Sequence, residues 1–82
     1  MFFKTDESHN LSHNPFKACI VPRPIGWVST CSTNGIGNVA PFSFFNGTAQ
    51  NPPQLMIAVN GGNSHSPYKD THQNIENTKE FV

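Results

Sequence analysis

The sequence predicts a mainly β fold with one short helix near its C-terminus, and three observations carry that prediction. Two runs rich in β-branched and aromatic residues, Ile25–Cys31 and Asn38–Phe44, flank Asn34-Gly35, a dipeptide that signals a tight hairpin. A third run, Gln54–Asn60, is continuously apolar from Leu55 to Val59, as expected of a strand buried on both faces. Helical character is confined to residues 72–78.

Taken in order, residues 1–15 are polar and form an irregular approach segment. His9 and His13 stand four residues apart, a spacing that suits a metal only on a helix. Asn10, Ser12, Asn14 and Pro15 oppose a helix there, and no Cys or carboxylate ligands cluster nearby. Phe16–Val21 is the first expected strand, ended by Pro22-Arg23-Pro24, whose two prolines fix the chain as it enters Ile25. Within the hairpin Gly35 supplies a positive φ. Either Asn34-Gly35 are the two central residues of the turn, or Gly35 closes a type I turn with a bulge; a slip of one residue between the two turns every side chain to the other face.

Gly47–Gln50 is expected to be a loop, after which Asn51-Pro52-Pro53 leads into the third strand. That strand ends at Gly61-Gly62, and Asn63–Lys69 is a polar loop. Asp70 is placed as N-cap of the helix, with Glu76 and Glu80 too late to complete a capping box. Phe81-Val82 reads as the opening of another strand.

Composition narrows the function. The chain has 82 residues with 5 Lys+Arg against 5 Asp+Glu, enough for one small domain, and a chain this short buries only roughly 60–65% of its unfolded surface. The basic residues are scattered, which gives no electrostatic footprint for a polyanion and argues against nucleic acid as a main partner. The N-terminus lacks the apolar segment of a signal peptide, and Leu55–Val59 is far too short to span a bilayer; the expectation is a cytoplasmic protein without a membrane partner. Cys19 and Cys31 form no CxxC pair and are expected to be small buried hydrophobes. The glycosylation patterns at Asn10 and Asn46 carry no meaning without secretion.

Several blocks in unbroken order resemble one known family. They are Pro15-Phe16-Lys17-Ala18, Pro22-Arg23-Pro24-Ile25-Gly26-Trp27-Val28-Ser29-Thr30, Asn38-Val39-Ala40-Pro41-Phe42-Ser43-Phe44-Phe45-Asn46, Pro52-Pro53, Lys69-Asp70-Thr71, and Asn74-Ile75 with Glu80-Phe81-Val82. Together they look like the N-terminal part of the flavin reductase-like, FMN-binding split-barrel family, of which flavoredoxin is one member. The resemblance implies that residues 1–82 are the N-terminal portion of such a domain, an incomplete split β-barrel lacking the later strands. It also implies an FMN cofactor, NAD(P)H as electron donor, and a homodimer of the full-length form with the flavin near the subunit interface.

The residues are compatible with that implication. Ser29 and Thr30, at the end of a strand, can donate hydroxyl hydrogen bonds to a phosphate; Lys69 adds positive charge, and Asp70 and Thr71 open a helix whose free N–H groups form an anion site. Taken alone, Ser29 and Thr30 are ordinary strand residues and Lys69 a solvated charge. Ser43, Phe44, Phe45 and Asn46 end a strand in aromatics and an amide, suited to packing along a flat ring and meeting its polar edge. Phe42 and Trp27 are assigned to the core, and Arg23 is left unassigned between a phosphate contact, a nicotinamide contact and a rim charge.

The mechanism implied by the resemblance is hydride transfer from NAD(P)H to the flavin, with position and electrostatics supplied by the protein. It needs no catalytic side chain, and His65 and His72 are expected to be surface histidines. No GxGxxG fingerprint appears, so a nicotinamide would stack on the flavin and not enter a Rossmann crevice. Two alternatives differ in class. One is a small β-barrel binding module that uses Phe42, Phe44 and Phe45 as a stacking platform; the other is a truncated, non-catalytic fragment.

Overall fold

Two antiparallel hairpins carry the β structure, and the short segment Ser43-Phe44 joins them. The computed structural model describes residues 2–62 and 64–82. Met1, the start of the expected approach segment, and Asn63, the start of the expected loop before the helix, lie outside the described residues.

The first hairpin pairs β1 (Gly26–Cys31) with β2 (Gly37–Phe42), in register from Gly26↔Phe42 to Cys31↔Gly37. Its turn resolves the two possible registers. Gly35 N–H donates to the Ser32 carbonyl at 2.9 Å, and Ser32 N–H donates to the Ile36 carbonyl at 2.9 Å. Gly35 has φ +81°, whereas Asn34 is not among the residues with positive φ. This is a type I turn closed by a left-handed glycine, the common three-residue hairpin loop. The Ser32 hydroxyl accepts a further bond from Ile36 N–H at 3.1 Å.

The second hairpin pairs β3 (Phe45–Gln50) with β4 (Pro53–Ile57). The expected loop over Gly47–Gln50 is therefore strand. Its register shifts between Gly47 and Ala49, so Thr48 is the extra residue of a bulge, and Gly, Thr and Ala are tolerated there because pairing with β4 supplies the order that local propensity does not. The expected strand Gln54–Asn60 is confirmed over its first part only, and it is not buried on both faces: Leu55 is 59% exposed and Met56 is also exposed. Only the end of its apolar run, residues 57–59, is half-buried.

A further correction concerns the N-terminal third. Where Phe16–Val21 was expected as a strand, the chain forms α1, the five-residue helix Pro15–Cys19. Asn14 Oδ1 accepts from Phe16 N–H at 3.0 Å, and Pro15 sits at the start of the helix, where its missing N–H costs nothing. That Asn-Pro capping signal outweighs the β-branched Ile20 and Val21, which fall beyond the helix.

The second helix, α2, spans Asp70–Thr78. Its cap is Lys69, which makes no side-chain capping bond, so the expected N-cap Asp70 is instead in the first turn, where a carboxylate favours the positive end of the helix. Lys79, in the left-handed conformation at φ 63°, closes the other end through its N–H to Ile75 O. The residues of α2 are weak helix formers, and packing makes up the difference. Thr71 and Asn74 are buried and Ile75 and Thr78 half-buried, an i, i+3, i+4, i+7 face laid on β1 and β2.

That seam holds the core. Gly26, Val28 and Thr30 point inward from β1, with Phe42 from β2, and the contacts to α2 are polar: Asn74 Nδ2 donates to Thr30 Oγ1 and Asn38 Nδ2 donates to Thr71 Oγ1, each at 3.0 Å. Thr30 and Asn38 are opposite each other across the two strands. Beyond α2 the chain returns to the free edge of β1, where Ser29 and Val82 exchange both backbone hydrogen bonds, at 2.7 and 3.0 Å. This is the pattern of an antiparallel pair, as expected of Phe81-Val82 opening another strand.

Three further placements are overturned, two of them by alternation along β1. Trp27, expected in the core, is 73% exposed, because it lies on the outer face of β1 between the inward Gly26 and Val28. Cys31 shares that outer face, Cys19 sits on α1 with no buried neighbours in the helix, and both thiols are exposed instead of buried. Phe42 is in the core as expected. The total accessible surface, 6756 Å², exceeds the roughly 4,900 Å² expected of a compact chain of this mass. The fold is mainly β, with two antiparallel sheets, a C-terminal helix and no closed barrel among the described residues.

Candidate functional site

The N-terminus of α2 and the inner side of β2 enclose a cleft of 320 Å³ lined by Asn38, Ala40, Phe42, Tyr68, Lys69 and Thr71, among others. Pro41, Phe42 and Lys69 are shared with a smaller cleft of 160 Å³ that continues to Ser43, Phe44, Ala58 and Lys17. The two clefts adjoin at these shared residues. At one end stand the unpaired N–H groups of the first turn of α2, whose first intrahelical bond is Gln73 N–H to Lys69 O at 3.1 Å. At the other end is the connection between the two sheets.

Of the residues expected to gather at an anion, Lys69, Asp70 and Thr71 line the first cleft. Lys69 takes part in neither of the ion pairs found among the described residues, Lys4–Glu7 and His72–Glu76, so its charge is not already neutralised by a carboxylate. Thr71 Oγ1 accepts from Asn38, which leaves its own proton to donate elsewhere. Ser29 and Thr30 face opposite sides of β1, as neighbours on a strand do. Thr30 points inward and is tied to Asn74, while Ser29 lies on the outer face, its Oγ donating to Val82 O at 3.3 Å. The carboxylate of Asp70 opposes an anion at the same helix end, so Lys69 must carry the balance.

At the other end, Ser43 and Phe44 line the groove. The Phe44 carbonyl accepts from Ala58 N–H at 2.9 Å, and its ring lies 6.4 Å from that of Phe16. Phe45 turns away to pack on Gly26, where an added Cβ would lie 2.8 Å from its ring, and Asn46 is exposed on β3 opposite Met56. Phe42 and Phe44 line the same cleft, and Phe45 packs on Gly26, the cross-strand partner of Phe42. His72 is partly exposed, with its Nε2 3.3 Å from Glu76 Oε1 and its ring 4.7 Å from that of Tyr68. Among the described residues no cluster of three or more His, Cys, Asp or Glu could hold a metal, and no helix is long and apolar enough to cross a membrane.

Sequence reasoning missed Asn38, Tyr68 and Asn74. A signal existed for Asn38, since the hairpin register places this polar side chain on the inward face opposite Thr30, where a buried amide requires a partner. Nothing comparable marks Tyr68, which the loop brings to the groove.

Comparison with known proteins points the same way. A model of the flavin reductase like domain matches residues 18–82. An uncharacterized protein of Aquifex aeolicus (strain VF5) is 57% identical over 63 residues, covering 77% of this chain and 32% of that protein. The uncharacterized protein YwrF of Bacillus subtilis (strain 168) is 44% identical over 63 residues, covering 77% and 30%. The crystal structure of nitrilotriacetate monooxygenase component B from Bacillus cereus matches with a TM-score of 0.70 and 32% identity, over 92% of this chain and 42% of that one. The chain therefore spans about a third of the length of these curated relatives. With the matched residues running from α1 through both hairpins and α2 to Val82, the chain belongs to the flavin reductase like domain family.

Proposed function

We propose that this chain supplies one wall of an FMN site in an NAD(P)H-dependent flavin reductase-like protein. The observation that carries the reading is the pair of adjoining clefts that run from the N-terminus of α2 to Ser43-Phe44 and share Pro41, Phe42 and Lys69. It presents helix N–H groups at one end, Lys69 where the two clefts adjoin, and Ser43, Phe44 and Lys17 at the other, which supports a ligand with a phosphate near Lys69 and a flat ring toward Phe44. Lys69 and Thr71 would hold the phosphate. Thr30, on the inward face beside them, would contribute through Asn74. Ser43 and Phe44 would meet the ring, with Phe45 and Asn46 setting the course of the strand behind it. Asp70 stabilises the helix end, and Ser29 anchors the returning chain at Val82.

FMN, when bound, supplies a hydride acceptor for a nicotinamide. These residues bind and orient; none is asked to move a proton. The remaining walls would come from sequence beyond this segment and from a second subunit, in a cytoplasmic homodimer.

The test compares two ligands on the full-length protein. Lys69→Ala is expected to weaken FMN by about one to two decades, since charge-assisted contacts are worth roughly 1.5–3 kcal/mol, and to leave riboflavin, which has no phosphate, nearly unchanged. Flavin fluorescence titration reads both affinities. Equal losses for the two ligands would refute the assignment of the phosphate end.

A further inference from the structure

Arg23 lies where three separate segments meet. Its Nη1 donates to the carbonyls of Lys17 at 3.0 Å and Ile20 at 3.3 Å, at the C-terminal end of α1, where Ile20 is the C-cap and its N–H also donates to Lys17 O. Its guanidinium carbon stands 5.3 Å from the centre of the Phe44 ring, within cation–π range. Phe44 in turn belongs to the only covalent connection between the two sheets, and it lines the groove. Pro22 and Pro24 restrict the backbone on either side of the arginine.

We infer that Arg23 is a positioning residue for the ring end of the proposed flavin site: it clamps Phe44 against α1 and thereby fixes the Ser43-Phe44 wall. This rests on the flavin reading above. The geometry departs from a rim charge and from a phosphate contact alike. Arg23 is half-buried and its Nη1 is engaged by two backbone carbonyls, and it does not border the cleft at Lys69 and Thr71. α1 has no buried residue of its own, and the arginine and the Phe16–Phe44 contact both tie it to the connection between the sheets. A lysine cannot reproduce the arrangement, because an ammonium can reach a carbonyl but lacks the planar face that lies over the ring while donating sideways.

The clamp has a signature that distinguishes it from the phosphate end. In the full-length protein, Arg23→Ala is expected to weaken FMN and riboflavin alike, by roughly tenfold, because both ligands carry the ring. It is also expected to shift the visible absorption of the bound flavin. Arg23→Lys retains the charge and is expected to keep the wild-type melting temperature while recovering only part of both affinities. Loss of FMN binding alone overturns the inference by making Arg23 a phosphate ligand. Unchanged affinities in Arg23→Ala overturn it too, as does an Arg23→Lys protein indistinguishable from wild type with both ligands; that second variant decides the matter where the alanine protein does not fold. A wild-type protein that takes up no flavin defeats the flavin reading, and this inference with it. Selective FMN loss in Lys69→Ala beside unchanged Arg23 variants defeats the inference alone.

Discussion

The two hairpins are alike in size and opposite in circumstance. In β1–β2 the inward face carries Val28 and Phe42, each at most 5% exposed, and α2 covers it. In β3–β4 every residue from Asn46 to Gln50 and from Pro53 to Met56 is exposed. The second strand pair has the more continuous apolar run, yet the first pair has the core. Apolar content alone therefore does not decide which hairpin is buried; a covering layer does, and the one available, α2, is recruited by polar side chains. Asn74–Thr30 and Asn38–Thr71 give the helix two fixed points on neighbouring strands. Buried hydrogen bonds of this kind contribute modestly when made and cost about 1–3 kcal/mol when one partner is left alone, so they set the position of α2 more than they stabilise it.

The contrast is sharpest at Phe42. Removing a buried phenyl ring costs about 3–5 kcal/mol, and here that ring is half of the apolar core and also part of the groove wall. Phe42→Ala is expected to abolish cooperative unfolding of the 82-residue chain, followed by circular dichroism on heating. Retention of a wild-type transition would mean that the first hairpin is not what holds the fold together.

How far these differences are legible in the sequence depends on whether the signal is local. Asn34-Gly35 announces its hairpin because the turn's backbone demand falls on one residue, and the flanking strands need no other partner to be recognised. α1 was equally local, written in Asn14-Pro15, but the apolar stretch after it resembles a strand and obscures the cap. β3 was hidden for a different reason. Gly47, Thr48 and Ala49 have loop-like composition, and only pairing across to β4 orders them. Trp27 shows the limit of residue type as a guide, since alternation along β1 and not hydrophobicity determines its face. At the site, Lys69-Asp70-Thr71 could be placed together because a helix start is local. The placement of Ser29 and Thr30 on opposite faces follows from the strand period alone.

A smaller effect tests the turn of the ordered hairpin. At Gly35 nothing lies within 4 Å of the place an added Cβ would occupy, but φ is +81°, so any penalty is conformational and not steric. Gly35→Val is expected to cost at least about 1 kcal/mol, read as a lowered midpoint in urea. Gly37→Ala, also with open space around it and without positive φ, is the control and should cost less. Equal midpoints for wild type and Gly35→Val would show that the turn is not in the left-handed conformation that defines this register.

The smallest effect is expected in the second hairpin, and its smallness is the point. Leu55 lies mid-strand in β4, opposite Gly47 and 59% exposed, so truncating it removes little that folding buries. Substitutions at such positions usually change stability by less than about 0.5 kcal/mol, against the loss of several kcal/mol expected for a buried leucine. Leu55→Ala in the 82-residue chain should therefore leave the urea midpoint where it was at low protein concentration. The same strand also offers an unprotected apolar surface beside an open edge, a combination that invites pairing with another chain. If the midpoint of the wild-type chain rises with concentration while that of Leu55→Ala does not, the leucine is covered by self-association in solution, and sedimentation of the two proteins should separate accordingly. A large destabilisation by Leu55→Ala in dilute monomer would instead break the comparison between the hairpins, because it would place a second packed layer over β4 where the structure has none.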